Sequence, residues 1–266
     1  MIRRQIVRAL LLAGIVCLSK ASTAGWQSRD SNYNKTVGAP PWTPASIPGL
    51  QLWLEADLGV SETAGKITSW TDQSSNAFVF TPYTTGPSWS ATGFNGASPG
   101  VILPGGDQQG LFCSGFALAT TATLSLFIVG TITDADGNRI FAFYSAADAD
   151  TTTPAFTVYN PSTWTLYSSG LVAGGSFGSL NTPQSAGWIF DGTNAHSYLN
   201  ETLVNSAAFS ASLVGAGLVP YLGGNPGGGS STSGNVAAII LSNQVISAPN
   251  LTKLSAYLTA KYGIPL

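Results

Sequence analysis

The feature that most restricts this chain is a succession of short runs rich in aromatic and β-branched residues, each soon followed by a turn signal. "LSLFIVGTI" (124–132) is the clearest of them. "LQLWLEA", "KITSW", "NAFVF", "PGVIL", "RIFAFYS", "AFTVYN", "TWTLYSS", "GWIFDG", "HSYLNETLV", "VPYLGG" and "NVAAIILSNQ" follow the same pattern. Around twelve such strands at regular spacing predict an antiparallel β-sandwich. The turns draw on 31 Gly and 15 Pro, and only 8% of the 266 residues are charged, so helix formers are scarce. The Asp-Gly pair in "DADGN" (134–138) lies between two apolar runs and predicts a hairpin joining them.

One helix is expected, at the end of the chain. Ser247 suits its N-cap and Pro249 its first turn. Leu251, Leu254, Leu258 and Tyr262 recur at three- and four-residue spacing. Lys261 suits the negative helix end, and Gly263 followed by Pro265 ends the element. Its apolar stripe should pack on the sandwich.

The N-terminus reads as an export signal with a helical apolar segment. Arg3, Arg4 and Arg8 precede "ALLLAGIVCL" (9–18), and small residues then offer a cut after Ala24. The apolar stretch is too short for a permanent membrane anchor. Residues 1–24 are therefore expected to be a signal peptide, 25–47 a Pro-rich spacer arm, and 48–266 the folded domain. A secreted, periplasmic or cell-surface location follows, with no membrane span after cleavage. Cleavage removes four of the ten basic residues and leaves six against twelve acidic ones. No basic stripe remains, which excludes a nucleic-acid partner. Cys113 would be the only cysteine left, so the domain must hold through its core rather than a disulfide.

"IPGLQLWLEADLGV", "ITSWTDQSSNAF" and "GFNGASPGVILPGGDQQGL" resemble the opening of the laminin-G-like, concanavalin A-like jelly rolls of bacterial surface and phage proteins. "HSYLNETLV" resembles that group's late hairpin with an Asn-bearing turn. "PYLGGNPGGGSSTSGNVAAIILSNQVISAPNLTKLSAYLTAKYGI" resembles its closing strands and terminal helix. The likeness covers residues 48–266. It implies an all-β jelly roll but names no activity, because the architecture hosts lectins, hydrolases and inert spacers. The family often carries a Glu near Ala238, and here that face is apolar.

Several arrangements of chemically capable residues can be weighed. Glu55 and Asp57 share one face of a strand-like run, as paired carboxylates do in jelly-roll glucanases. The third carboxylate of that pattern is replaced by Val60, so the pair is expected to be solvent-facing and non-catalytic. Ser98 and Ser176 both sit in G-x-S-x-G, with Asp191 and His196 following in order. However, Pro99 has no N–H to offer an oxyanion, and no helix follows Ser176. A serine triad is not expected, and His196 is read as a strand residue with a local hydrogen bond. One His and one free Cys argue against zinc. No cofactor is expected, with calcium the one candidate, at Asp134, Asp136 and Asn138 with Asp148 or Asp150 as further ligands. "GGNPGGGSSTSG" (223–234) lacks the Lys of a phosphate loop.

Sugars are held by flat aromatic faces with a few orienting polar groups. Trp53, Trp70 and Trp188 lie in strand runs and are expected in the core. Trp164 with Tyr159 and Tyr167 forms the candidate ligand patch, with Asp107 or Asn225 as polar partners. The expected function is an exported, non-catalytic binding or adhesion module for a glycan or surface polysaccharide. The alternatives are a virion structural or appendage protein (tail fibre or capsid decoration) that docks on other virion or cell-surface proteins, and a jelly-roll glycoside hydrolase.

Overall fold

The computed structural model describes residues 41–105, 109–116, 121–134, 138–145, 156–160, 164–168, 171–209, 218–224 and 232–264. The expected signal peptide and most of the expected arm lie outside the described residues. The compact unit begins at Trp42 rather than at 48. Trp42 meets Tyr257 edge-on at 6.1 Å, and Pro44 and Ile47 are buried. The last residues assigned to the arm are thus part of the domain, because their apolar side chains find cover there.

Among the described residues the chain forms, in order, β1 (Leu50–Glu55), β2 (Val60–Thr63), β3 (Lys66–Thr71), β4 (Val79–Pro82), β5 (Ser88–Phe94) and β6 (Ser98–Pro104). Then come β7 (Leu111–Phe112), β8 (Thr123–Ile132), β9 (Asn138–Ser145), β10 (Phe156–Asn160), β11 (Trp164–Ser168) and β12 (Leu171–Phe177). The last are β13 (Gln184–Asp191), β14 (Asn194–Leu199), β15 (Thr202–Ala208), β16 (Leu218–Leu222), β17 (Ser233–Ser242) and the helix α1 (Ala248–Tyr262). The all-β sandwich with one C-terminal helix is as expected. β2, β5, β7 and β12 were not foreseen: Ser, Gly or a charged residue dilutes β2, β5 and β12, β7 is only two residues long, and neighbouring strands supply the order that local propensity lacks.

All pairings are antiparallel. One sheet, sheet A, runs β15–β14–β13–β8–β17, with β1 and β6 both on the far side of β17. The other, sheet B, runs β12–β11–β10–β9–β16–β7–β4. β4 also pairs with β3, so the layers join at that end. Between them lies the main core, with Trp70, Trp188, Phe141, Phe143, Ile128 and Ile239 among its members.

The predicted hairpin across 134–138 does not form. β8 pairs with β13 and β17 in sheet A, whereas β9 pairs with β10 and β16 in sheet B. β8 is buried over nearly its whole length, so it needs a strand on each side and a layer on each face. The connecting segment therefore crosses between sheets. At its start the Asp134 carboxylate accepts the Ser233 N–H at 2.6 Å. The Asn-bearing hairpin of "HSYLNETLV" does form. Asn200 and Glu201 both take positive φ (45° and 71°), the turn geometry that matches strand twist.

α1 covers the outer side of sheet A. Leu254, Leu258 and Tyr262 lie on Phe127, Val129, Ala238 and Ile240, with Trp53 and Ile246 beside them. Gly263 ends the helix at φ 70°. Ser247 stands at the N-cap, but its side chain makes no capping bond; its carbonyl accepts the Leu251 N–H instead. Replacing Leu258 by Ala should cost about 2–5 kcal/mol in chemical denaturation, through lost burial and the cavity left in this second core.

Candidate functional site

Strand alternation gives sheet B a second face, turned away from the main core. On β16, Leu218 and Leu222 point into the core, whereas Val219 and Tyr221 belong to a separate cluster with Ala142, Tyr144 and Phe112. Phe112 stacks on Tyr221 at 5.7 Å and 16°. Tyr83, just beyond β4 and 38% exposed, meets Phe112 at 5.8 Å and Tyr221 at 6.3 Å, both edge-on. Tyr144 meets Tyr221 edge-on at 5.3 Å. Arg139 donates to the Tyr144 hydroxyl at 2.5 Å, and its guanidinium lies 5.5 Å from that ring centre. Burial raises the Tyr144 phenol above its ordinary range, although Arg139 opposes this; burial and then Tyr83 raise that of Tyr221. Both stay neutral hydroxyls in ordinary buffers. The result is a graded aromatic cluster, buried at Tyr144 and open at Tyr83, with neutral donors and one fixed cation.

The register of sheet B links this cluster to two of the sequence-predicted positions. Thr81 pairs with Phe112, Phe112 with Tyr221, Tyr221 with Ala142, Ala142 with Thr157, and Thr157 with Tyr167. Tyr167 thus occupies a position in the same cross-strand row, and Tyr159 is the partner of Arg139. Trp164 does not join them. It is 1% exposed in the main core, 6.4 Å from Trp188, and a Cβ on Gly178 would come within 2.7 Å of its ring. Its choice as a ligand platform is corrected: β11 turns Trp164 inward, where the sandwich buries its large apolar area. Asp107 and Asn225 lie outside the described residues. Tyr83, Phe112, Tyr144 and Tyr221 were missed because each stands alone in sequence and only the pairing of β4, β7, β16 and β9 gathers them.

The other candidates resolve differently. Glu55 is fully buried beneath α1, not solvent-facing. Its Oε2 accepts from Lys261 Nζ and from the Tyr257 hydroxyl at 3.0 Å, and the same Nζ reaches Asp57 at 2.9 Å. Burial, then the Glu55 carboxylate, keeps the Tyr257 phenol protonated. This cluster fastens the helix to β1. Ser98 donates to the Lys261 carbonyl at 3.4 Å, and Ser176 lies on β12. Gly178, the last residue of the second G-x-S-x-G, is required by the approach of Trp164 and Gln184 at φ 86°. His196 does have local hydrogen bonds, to Asp191 and Ser206. Asp136, Asp148 and Asp150 lie outside the described residues. Asn138 is the first residue of β9, and Asp134 Oδ2 accepts the Ser233 N–H. No metal-binding group of three or more His, Cys, Asp or Glu occurs among the described residues. Cys113 is buried, and burial raises its thiol above the ordinary range.

Comparison with known proteins places the fold. No protein-family model matches the chain, and no curated protein matches it. The solved structures it is similar to include a Trypanosoma rangeli sialidase in complex with sialic acid (TM-score 0.52, 13% identity, 84% of this chain and 34% of that one). A GH54 α-L-arabinofuranosidase gives a TM-score of 0.56 at 14% identity, over 74% and 51% of the two chains. Domain 4 of a GH43 extracellular arabinanase from Geobacillus stearothermophilus, in complex with arabinotriose, gives 0.54 at 12%, over 77% and 97%. The chain spans about a third of the length of the sialidase it matches. The shared feature is the all-β sandwich. Enzymes stand among these structural neighbours, the sialidase and the arabinofuranosidase, which overturns the expectation that the chain is not an enzyme. No helix among the described residues is long and apolar enough to cross a membrane.

Trp164→Ala should lower stability by about 3–5 kcal/mol in denaturant titration, as truncation of a buried Trp does. Lys261→Met should cost about 3 kcal/mol, because it strands the buried Glu55 carboxylate. Asp57→Asn, at a part-exposed pair, should cost less than about 1 kcal/mol in the same assay.

Proposed function

We propose that the chain recognises carbohydrate along the outer side of sheet B. The observation that carries this is the run of rings from exposed Tyr83 through Phe112 and Tyr221 to Tyr144, with Arg139 at its end. Sugar rings present an apolar face that stacks on aromatics, and their hydroxyls need neutral donors and acceptors at the edge. Tyrosines supply both parts in one side chain. The arabinanase domain, matched over 97% of its length, is in complex with arabinotriose, which supports a sugar ligand for this architecture. A surface polysaccharide is the proposed partner, with Tyr159 and Tyr167 extending the row. Recognition of this kind serves a binding module and a glycoside-acting enzyme alike. The signal-like segment 1–24 and the laminin-G-like sequence resemblance support an exported protein of the bacterial-surface or phage type.

Affinity electrophoresis through gels holding different polysaccharides, with a glycan array beside it, tests the reading. Tyr83→Ala and Phe112→Ala should each weaken retention about tenfold, or roughly 1.4 kcal/mol. Val245→Ala, at an exposed site before α1, should leave it unchanged. Retention that survives the double Tyr83/Phe112 variant would remove this face from consideration.

A further inference from the structure

The hairpin of β14 and β15, on the other sheet, carries a second arrangement that the aromatic face does not use. Asp191 ends β13 and closes the turn into β14. Its Oδ1 accepts three hydrogen bonds: from the Thr193 N–H at 2.8 Å, the Asn194 N–H at 2.7 Å and the Thr193 hydroxyl at 2.8 Å. That leaves Oδ2 for His196 Nε2 at 3.1 Å, with the Asn194 amide at 3.5 Å. The backbone bonds from Asn194 and Thr193, then His196, hold the Asp191 carboxyl well below the usual carboxylate range. A carboxylate can only accept, so Nε2 of the neutral ring carries the proton and Nδ1 is bare. Nδ1 lies 3.0 Å from the hydroxyl of Ser206, the direct cross-strand partner of His196, and in this tautomer accepts a hydrogen bond from it.

We infer that Ser206 is an acyl-accepting nucleophile, activated by His196 with Asp191 as the residue that orients the ring, and that acyl esters are its substrate class. Nucleophile, base and orienting group stand in the order this chemistry needs, each within hydrogen-bond reach of the next. The relay is accessible: Ser206 is exposed, and the side chains of His196 and Asp191 are 26% and 33% exposed. Among the described residues the strand pairing of β15 is with β14. Leu203 and Val204, at 51% and 41% exposure, give the same strand an apolar surface for the acyl portion. In the reaction the Ser206 oxygen bonds to the ester carbon while its proton passes to Nδ1. The bond from that carbon to the alkoxide breaks, and His196 returns the proton to the leaving alcohol. Water, deprotonated by the same nitrogen, then bonds to the acyl carbon; the Ser206 oxygen–carbon bond breaks, the acid leaves, and His196 returns the proton to Ser206. Sequence reading weighed Ser98 and Ser176 with Asp191 and His196 and expected no triad; the fold brings Ser206 to His196 instead, from the facing strand rather than from a G-x-S-x-G turn.

A fluorophosphonate probe tests this on the full chain, since it needs no knowledge of the natural ester. The serine oxygen bonds to phosphorus, fluoride leaves, and the proton goes to His196. Peptide mass spectrometry should find Ser206 labelled on the order of a hundredfold faster than the exposed Ser61 and Ser75, the scale of a positioned general base. His196→Ala and His196→Gln should remove that advantage, with melting curves showing that each remains folded. Unfolding the wild type in guanidinium should remove it too, which keeps the test valid if a variant fails to fold. Labelling of Ser206 no faster than of Ser61, or unchanged in folded His196→Ala, would show an ordinary hydroxyl that only braces the hairpin.

Discussion

The double-sided apolar character of the middle of sheet A governs the rest of the molecule. β8 and β17 are buried over almost their whole lengths, on both faces. A strand of this kind is stable only in the middle of a sheet with a layer on either side. Sheet B covers one side, and α1 covers the other. Each cover then sets the duties of its own residues: aromatic and branched side chains meet sheet A from sheet B, and Leu254, Leu258 and Tyr262 meet it from the helix.

The charged residues follow from that demand. Glu55 comes at the end of β1, opposite Ala238 on β17, and so lies under the helix. A carboxylate there must be paired, and Lys261 and Tyr257, four residues apart on α1, meet it together. What reads in sequence as a catalytic pair with one member missing is a clamp between layers. Asp72 does a related task at the β3–β4 turn, where its buried carboxylate accepts the N–H groups of Trp53 and Ser74 and the Ser74 hydroxyl. These carboxylates are committed to architecture, so chemistry has to come from elsewhere.

Two regions escape that commitment. The outer side of sheet B gathers tyrosines around one arginine, suited to stacking and hydrogen bonding. The β14–β15 edge aligns a carboxylate, an imidazole and a hydroxyl, suited to proton transfer. They lie on different sheets and use different residue types. Both are assembled by cross-strand register, in which direct partners such as Tyr221 and Phe112, or His196 and Ser206, come from distant or facing strands.

The sandwich, the terminal helix with its Gly263 stop, the Asn200 hairpin and the core placement of Trp53, Trp70 and Trp188 were all legible in the amino-acid sequence. Each depends on periodicity or on the backbone preference of one residue, and such information is local. The sequence also showed that no complete glucanase triad follows Glu55. It did not show that β8 and β9 part into different sheets, that Trp164 turns inward, or that Glu55 is covered. Those outcomes rest on which strand pairs with which and on which face a layer is laid. The aromatic row and the Asp191–His196–Ser206 relay belong to the same class. Sequence determined the elements and their apolar faces, because those arise between near neighbours. Tertiary structure alone decided which side chains meet, because strand register sets the partners, across a single hairpin for His196 and Ser206 and between distant segments for Phe112 and Tyr221.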